Sequence, residues 1–325
     1  KGIGNGHEPK PGDLTDLNTV EGELIVRTSH RLGNLLLITP LVQEVIKTFP
    51  NAKIDLIVQG FLGPIIFENY EPVVHITSLP KKPFKNLKGY IKGVLSLRKR
   101  KYDFSINAVR SSSSGRLYTQ MARSRFKVFG LEEQDFSANY KDGQHIAKEQ
   151  VYAFRAYMEK LGFKDHHAPV KNLNLNLTPA ESQQGLAKLR EIADDSKKTI
   201  ALFTFATGKK CYKPDWWIPF YKRLLLEYPD YHIVEVLPYE NVSQIDFAAP
   251  SYYSKDIREI AAFISHTEVW IGADCGIMHL ASASGAPVVG LFSKTNRHVY
   301  EPFNGNSFSL FTGDLTYDQI IKAVD

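Results

Sequence analysis

Apolar residues arrive along this chain in short bursts of two kinds. Glu23 to Thr28 (ELIVRT) and Lys53 to Val58 (KIDLIV) are nearly continuous runs of strand length, the pattern of a strand covered on both faces. Between them, Leu35 to Phe49 carries apolar residues at helical spacing and stops at Pro50, which cannot extend a helix. These segments predict a βαβ opening. The alternation continues, with Leu87, Ile91, Val94 and Leu95 at helical spacing and a return to strand character from Tyr102 to Val109. The serine run Ser111 to Ser114, with Gly115, predicts a loop at that strand's end.

The pattern restarts further on. Residues 170–179 (VKNLNLNLTP) leave helical periodicity and a helix follows from Ala180 to Ala193, which predicts a domain junction there. Strands are then expected at Thr199–Thr204, Tyr231–Leu237, Glu268–Ile271 and Pro287–Phe292, and helices at Trp217–Glu227, Lys255–Ser265 and Met278–Ser284. Two successive α/β series predict two Rossmann-like, doubly wound domains facing a cleft. The expected divisions are a tail over 1–22, a first domain over 23–175 and a second over 176–325.

Composition narrows the class. A chain of 325 residues, 43% hydrophobic and 23% charged, has room for two cores. No apolar run approaches the roughly 20 residues that span a bilayer, and the polar opening Lys1 to Val20 lacks a signal core, so a cytoplasmic location is expected. Two cysteines, Cys211 and Cys275, are too few for a disulfide framework and lack the spacing of a zinc site. The net charge of +5 points to an anionic partner only where the basic residues cluster.

The second half carries the clearest chemistry. Val269 to Ser284 reads as strand, short Asp-Cys-Gly turn and helix. Free amides at a helix start beyond a strand's carboxyl end make a seat for phosphate. Gly276 permits close backbone approach, His279 one turn on can donate to a phosphate oxygen, and Asp274 suits a helix cap or an acceptor for a ligand hydroxyl. A capped helix with a packed histidine accounts for the same spacing equally well. Upstream, Thr204 to Lys213 (TFATGKKCYK) brings hydroxyl, glycine and lysine to a strand end, a composition that suits a diphosphate although the Walker spacing is absent. Lys209 and Lys210 read as a solvated basic loop.

These residues match a family pattern. Asp-x-Gly-x-x-His at 274–279, then ASASGAPVVGLF to Phe292 and Thr295, resembles the nucleotide-binding signature of the glycosyltransferase family 9 heptosyltransferases. In the first half, RLGNLLLITP from Arg31 and FPNAKID from Phe49 resemble the family's opening βα unit, and the likeness spans most of residues 23 to 315. The resemblance implies a GT-B fold and inverting transfer of a sugar, heptose or related, from a nucleotide sugar to a lipopolysaccharide-type acceptor. The donor, an ADP-sugar by preference, is then substrate, with no cofactor and no metal. It assigns Asp274, Cys275, Gly276 and His279 to the donor pocket, Thr207, Gly208 and Lys213 to the diphosphate, and Glu240 to the ribose hydroxyls. Cys275 stands where the family usually has Thr or Ser.

One departure concerns catalysis. The family usually reads Gly-Asp after the first strand, with that Asp as the base, whereas this chain has Gly33-Asn34. An amide accepts no proton at neutral pH. Three readings follow: Asn34 orients a substrate while His30 is the base, an imidazole titrating near about 6.5; catalysis rests on positioning and leaving-group stabilisation; or the chain is a catalytically silent nucleotide-sugar-binding protein. Arg110 and Arg116, flanking the serine run, are expected to contact the acceptor. From Lys81 to Lys101 lie nine Lys or Arg residues and no acid, which suits an anionic glycolipid acceptor and peripheral contact with the inner membrane, or simply a solvated face. Nucleic acid is not expected, because no recognition motif accompanies the run.

Overall fold

A computed structural model describes residues 8–81, 85–130, 140–164 and 168–324. The chain divides into two compact units, Lys1–Lys171 and Asn172–Asp325.

The first unit runs β1 (Gly22–Val26), α1 (Leu32–Leu36), α2 (Thr39–Thr48), β2 (Lys53–Gln59), α3 (Leu62–Ile66), β3 (Val73–Leu79), α4 (Leu87–Ser96), β4 (Lys101–Asn107), α5 (Ser113–Met121), β5 (Arg123–Val128) and α6 (Ile146–Lys160). Its five strands are all parallel, in the order β3-β2-β1-β4-β5. The single helix expected from Leu35 to Phe49 is two: Pro40 has no amide to continue the ladder, so α1 ends and Pro40 takes up the first turn of α2. The serine run is likewise not a loop. Ser112 Oγ accepts the Gly115 amide at 3.0 Å and caps α5, which begins at Ser113.

The second unit runs α7 (Pro179–Ile192), β6 (Lys198–Phe203), α8 (Pro214–Glu227), β7 (Tyr231–Val236), β8 (Ser251–Tyr252), α9 (Ile257–Ile264), β9 (Val269–Ala273), α10 (Gly276–Ser284), β10 (Val288–Phe292), α11 (Arg297–Tyr300), β11 (Phe308–Phe311) and α12 (Tyr317–Lys322). Its six parallel strands lie in the order β11-β10-β9-β6-β7-β8. On α8, Trp217, Phe220 and Leu224 point inward at helical spacing and pack on Ile200, Leu202 and Ile271; truncating either aromatic ring to alanine would cost about 3–5 kcal/mol. The extended stretch before α7 buries Leu173 and Leu175 and bonds its Leu175 amide to Ala283 O, so it packs on this unit. No described helix is long and apolar enough to cross a membrane.

Both units are Rossmann-like. In each, the first strand pairs on one side with the second and on the other with the fourth. The chain therefore reverses its direction of winding between β1 and β4, and again between β6 and β9. Loops leaving the carboxyl ends of those strands turn to opposite faces of the sheet and leave a crevice, where ligands of open α/β sheets bind.

One core group works against stability. Glu23 on β1 is fully buried and pairs in register with Phe104, on the face where Phe104 packs against Phe49, Phe126 and Tyr157. Neither carboxyl oxygen has a hydrogen-bond partner among the described residues. Burial, with repulsion from Asp103 added, raises its pKa well above the ordinary 4.5. The folded state keeps a proton that the unfolded chain releases, so this contribution is full below the unfolded pKa and is lost as pH rises toward the folded one. In urea unfolding, Glu23→Met should exceed the wild type by about 1–3 kcal/mol, with the gap wider at about pH 8 than at about pH 5. A pH-independent gap, or none, would contradict this.

Candidate functional site

In the second unit the crevice lies between the loops after β6 and β9. The β9 loop is two residues long, Asp274 and Cys275, before α10 begins at Gly276. Asp274 is 5% exposed. Its Oδ2 accepts Lys210 Nζ at 2.5 Å and the Thr295 hydroxyl, while its amide donates to Leu291 O. Lys210, expected to be a solvated loop residue, thus spans the crevice from the β6 loop. The reason is local: Gly208, at φ +67°, turns the chain into a short 3-10 turn over Gly208–Lys210 that ends beside the β9 loop. Lys209 is exposed, as a solvated residue should be.

Asp274 does not cap α10. The capping position belongs to Cys275, in an extended conformation, so the acid that spacing offered as a cap is held sideways by the Lys210 ammonium. Burial pushes the Cys275 thiol up to about 12, against the pull of the Met278 and Ile277 amides. The thiol is neutral at physiological pH and leaves the N-terminal end of α10 without an anionic side chain of its own, while the amides of the first turn carry partial positive charge. His279 follows in the next turn, buried.

The rest of the rim comes from the loops after β6 and β7. Thr207 and Lys213 are exposed, and Lys213 stands immediately before Pro214 at the start of α8. Tyr212 fixes this loop by a 2.7 Å bond to Thr312 and by stacking on Trp216. Glu240 is exposed in the turn after β7. The buried acid of that region is Glu235, whose oxygens accept Thr204 Oγ1 at 2.5 Å and Ser243 Oγ at 2.7 Å. Burial raises its pKa, opposed by those two hydroxyls. Thr204 Oγ1 also accepts the Gln244 amide, so the acid ties the β7 loop to the end of β6.

The crevice of the first unit is lined differently. Thr28 Oγ1, after β1, lies 3.0 Å from Ser112 Oγ and accepts Ser114 Oγ at 3.0 Å, so hydroxyls bridge the β1 and β4 loops. Asn34, on α1, donates Nδ2–H to Ser29 Oγ at 3.0 Å, and its carbonyl accepts Arg27 Nε. His30 is exposed in the same loop. Arg110 and Arg116 line one cavity of about 460 Å³ with Val109, Ser111, Ile146, Glu149 and Gln150. Arg110 is paired with Glu149 at 3.1 Å. The Gln150 side chain donates to Ile146 O, and its own buried oxygen has no partner among the described residues.

Comparison with known proteins gives this arrangement a context. Residues 254–315, from just before α9 to beyond β11, match the model for glycosyltransferase family 9 (heptosyltransferase). Over 307 residues the chain is 22% identical to lipopolysaccharide heptosyltransferase 3 of Escherichia coli K12, covering 87% of this chain and 86% of that one. The chain thus resembles the family 9 heptosyltransferases over most of its length and carries their family segment at residues 254–315. Among solved structures, a family 9 glycosyl transferase from Veillonella parvula superposes with a TM-score of 0.70 at 16% identity, over 92% of this chain and 88% of that one. E. coli heptosyltransferase WaaC with ADP-2-deoxy-2-fluoro heptose gives 0.63 at 14% identity, over 93% and 97%. Both likenesses show that this chain shares the GT-B fold.

The segment that matches the family model holds Asp274, Cys275, Gly276, His279 and Thr295. Sequence spacing brought the first four of these together but missed the contacts made to them. Lys210 had no signal apart from its charge, and the hydroxyl of Thr295 reaches Asp274 only because β9 and β10 are neighbours. Glu149 and Gln150 sit on a helix far from Arg110 in sequence.

If the Lys210–Asp274 pair closes the crevice, the two residues are energetically coupled. A double-mutant cycle with Lys210→Met and Asp274→Asn, followed by urea unfolding, should give a coupling of about 0.5–2 kcal/mol, kept modest because the lysine is partly solvated. Strictly additive changes would show that the contact contributes nothing.

Proposed function

We propose that this enzyme transfers a heptose from ADP-heptose to a lipopolysaccharide-type acceptor, with inversion, at the cytoplasmic face of the inner membrane. The observation that carries the reading is the β9–α10 crevice: a family 9 sequence motif at a switch point, with helix amides, the Asp274–Lys210 pair and a neighbouring lysine. Its relatives support the sugar, since the curated one is named a lipopolysaccharide heptosyltransferase and a solved one is described with an ADP-heptose analogue.

On this reading the diphosphate rests on the amides of Gly276, Ile277 and Met278, with Thr207, Gly208 and Lys213 closing over it and His279 beneath. Asp274, Cys275 and Glu240 complete the donor pocket, with Glu240 toward the ribose. As the bond to the anomeric carbon breaks, negative charge grows on the leaving phosphate, where the helix dipole and the Lys213 ammonium act more strongly than in the ground state. The acceptor hydroxyl attacks from the opposite face. Arg110 and Arg116 suit an anionic acceptor because guanidinium forks bind phosphate and carboxylate. Asn34, held by Ser29, orients the substrate, and exposed His30 takes the proton. Donor binding without transfer is the second reading, favoured by one observation: the Asn34 amide is spent on Ser29 and supplies no base.

Calorimetry with ADP-heptose and a transfer assay on lipopolysaccharide core acceptor separate the two. Lys213→Ala should weaken donor binding by about 10- to 100-fold, the value of a charge-assisted hydrogen bond. His30→Ala should lower kcat by about 10²- to 10⁴-fold with donor affinity unchanged. Binding without ADP release, with or without acceptor, would establish the silent reading; absence of any nucleotide-sugar binding would overturn both.

A further inference from the structure

Three of the four residues that make α4 legible as a helix face outward, and only Val94 faces in. Leu87, Ile91 and Leu95 are 54%, 47% and 54% exposed. The inward face is instead Tyr90 and Val94, half-buried, with Leu97 just beyond the helix, packed against Leu24, Val26, Ile57 and Leu79. Gly93 lets this face lie close on β3, since a Cβ there would stand 2.5 Å from Leu79. No residue of α4 itself is buried.

The outer face has two parallel columns. Leu87, Ile91 and Leu95, four residues apart, form an apolar column about 12 Å long. Lys88 and Lys92, also exposed, stand beside it, and Arg98 and Lys99 continue the basic side past the helix end. No described acid is paired with any of these four. The surrounding basic run is less available than its sequence suggests: Arg100 is committed to Asp55 at 2.9 Å, and Lys82 lies outside the described residues.

From this face we infer that α4 is a membrane-surface element, lying in the plane of an anionic bilayer with Leu87, Ile91 and Leu95 among the upper acyl chains and Lys88, Lys92, Arg98 and Lys99 at the lipid phosphates. Exposed apolar and basic columns side by side are what an interfacial helix requires, one seeking hydrocarbon and the other anionic headgroups. A second copy of the chain fits poorly, because two such faces would bring like charges together. A nucleic acid would leave the apolar column in water. The assignment deepens the proposed use of a lipid-linked acceptor. The connection from β3 delivers the start of α4 to the carboxyl-end rim of the sheet, the rim that also carries His30, Asn34 and Arg110. Docking there would hold that rim near the headgroups of an anchored acceptor.

The test uses the full chain and needs no sugar transfer, so its failure is distinguishable from failure of the heptosyltransferase reading. Flotation with vesicles of phosphatidylcholine alone, and of phosphatidylcholine mixed with phosphatidylglycerol, should show binding to the second only, weakened by salt. Lys88→Glu/Lys92→Glu should reduce the partition coefficient at least about tenfold. Leu87→Ser/Ile91→Ser/Leu95→Ser should also reduce it at least about tenfold and leave a remainder that high salt abolishes. Leu226→Ser, an exposed leucine on α8, should bind as the wild type does. All of these side chains are solvent-facing, so circular dichroism and melting temperature should confirm intact folds. A wild type that ignores anionic vesicles, or a triple serine variant that binds them equally well, would overturn the assignment. So would a wild type that dimerises in size exclusion while the triple variant does not.

Discussion

A parallel sheet whose first strand pairs with both its second and its fourth must send two neighbouring loops to opposite faces, and the gap between them is the constraint on which the rest of this chain depends. In the second unit that gap is spanned by one ion pair, Lys210 to Asp274, with Thr295 on the same carboxylate oxygen. The pair unites three strand ends in one rim: β6 supplies the lysine, β9 the acid and β10 the threonine. A charge as buried as Asp274 is tolerated because an opposite charge and a hydroxyl meet it. The acid is also thereby drawn away from the α10 amides and does not cap the helix.

The first unit answers the same constraint with neutral groups. Its crevice is bridged by the hydroxyls of Thr28, Ser112 and Ser114, and its charges, Arg110, Arg116 and Glu149, stand to one side around a cavity. Hydroxyl bridges can exchange partners with other hydroxyls at small cost, whereas an ion pair sets a fixed local charge. One topology thus gives two crevices of different chemistry. Asn34 belongs to the neutral one, and its bond to Ser29 fits an orienting role better than proton transfer.

Much of this was legible in the sequence because it is local. Continuous apolar runs gave β1, β2, β6, β9 and β10, and Pro50 marked the end of α2. The edge strand β5, with its polar sequence RSRFKV, lacked a run to find, and β11 is only four residues long. Where local rules misled, a competing one prevailed: Pro40 split a helix that periodicity had joined, Ser112 became a cap within an apparent loop, and the apolar spacing of α4, Val94 apart, described its exposed side. Lys210 could not be placed because its partner is 64 residues away and only the strand order brings them together. The same holds for Arg110 and Glu149, and for Glu235 with Thr204.

The central claim is that the β9–α10 crevice is the donor site. A crystal structure of the chain with an unreactive ADP-sugar tests it most directly. The account predicts the diphosphate within hydrogen-bond distance of the Gly276, Ile277 and Met278 amides and of Lys213 Nζ, with Lys210 still on Asp274. A diphosphate bound away from α10, for example on Arg110 and Arg116, would contradict it.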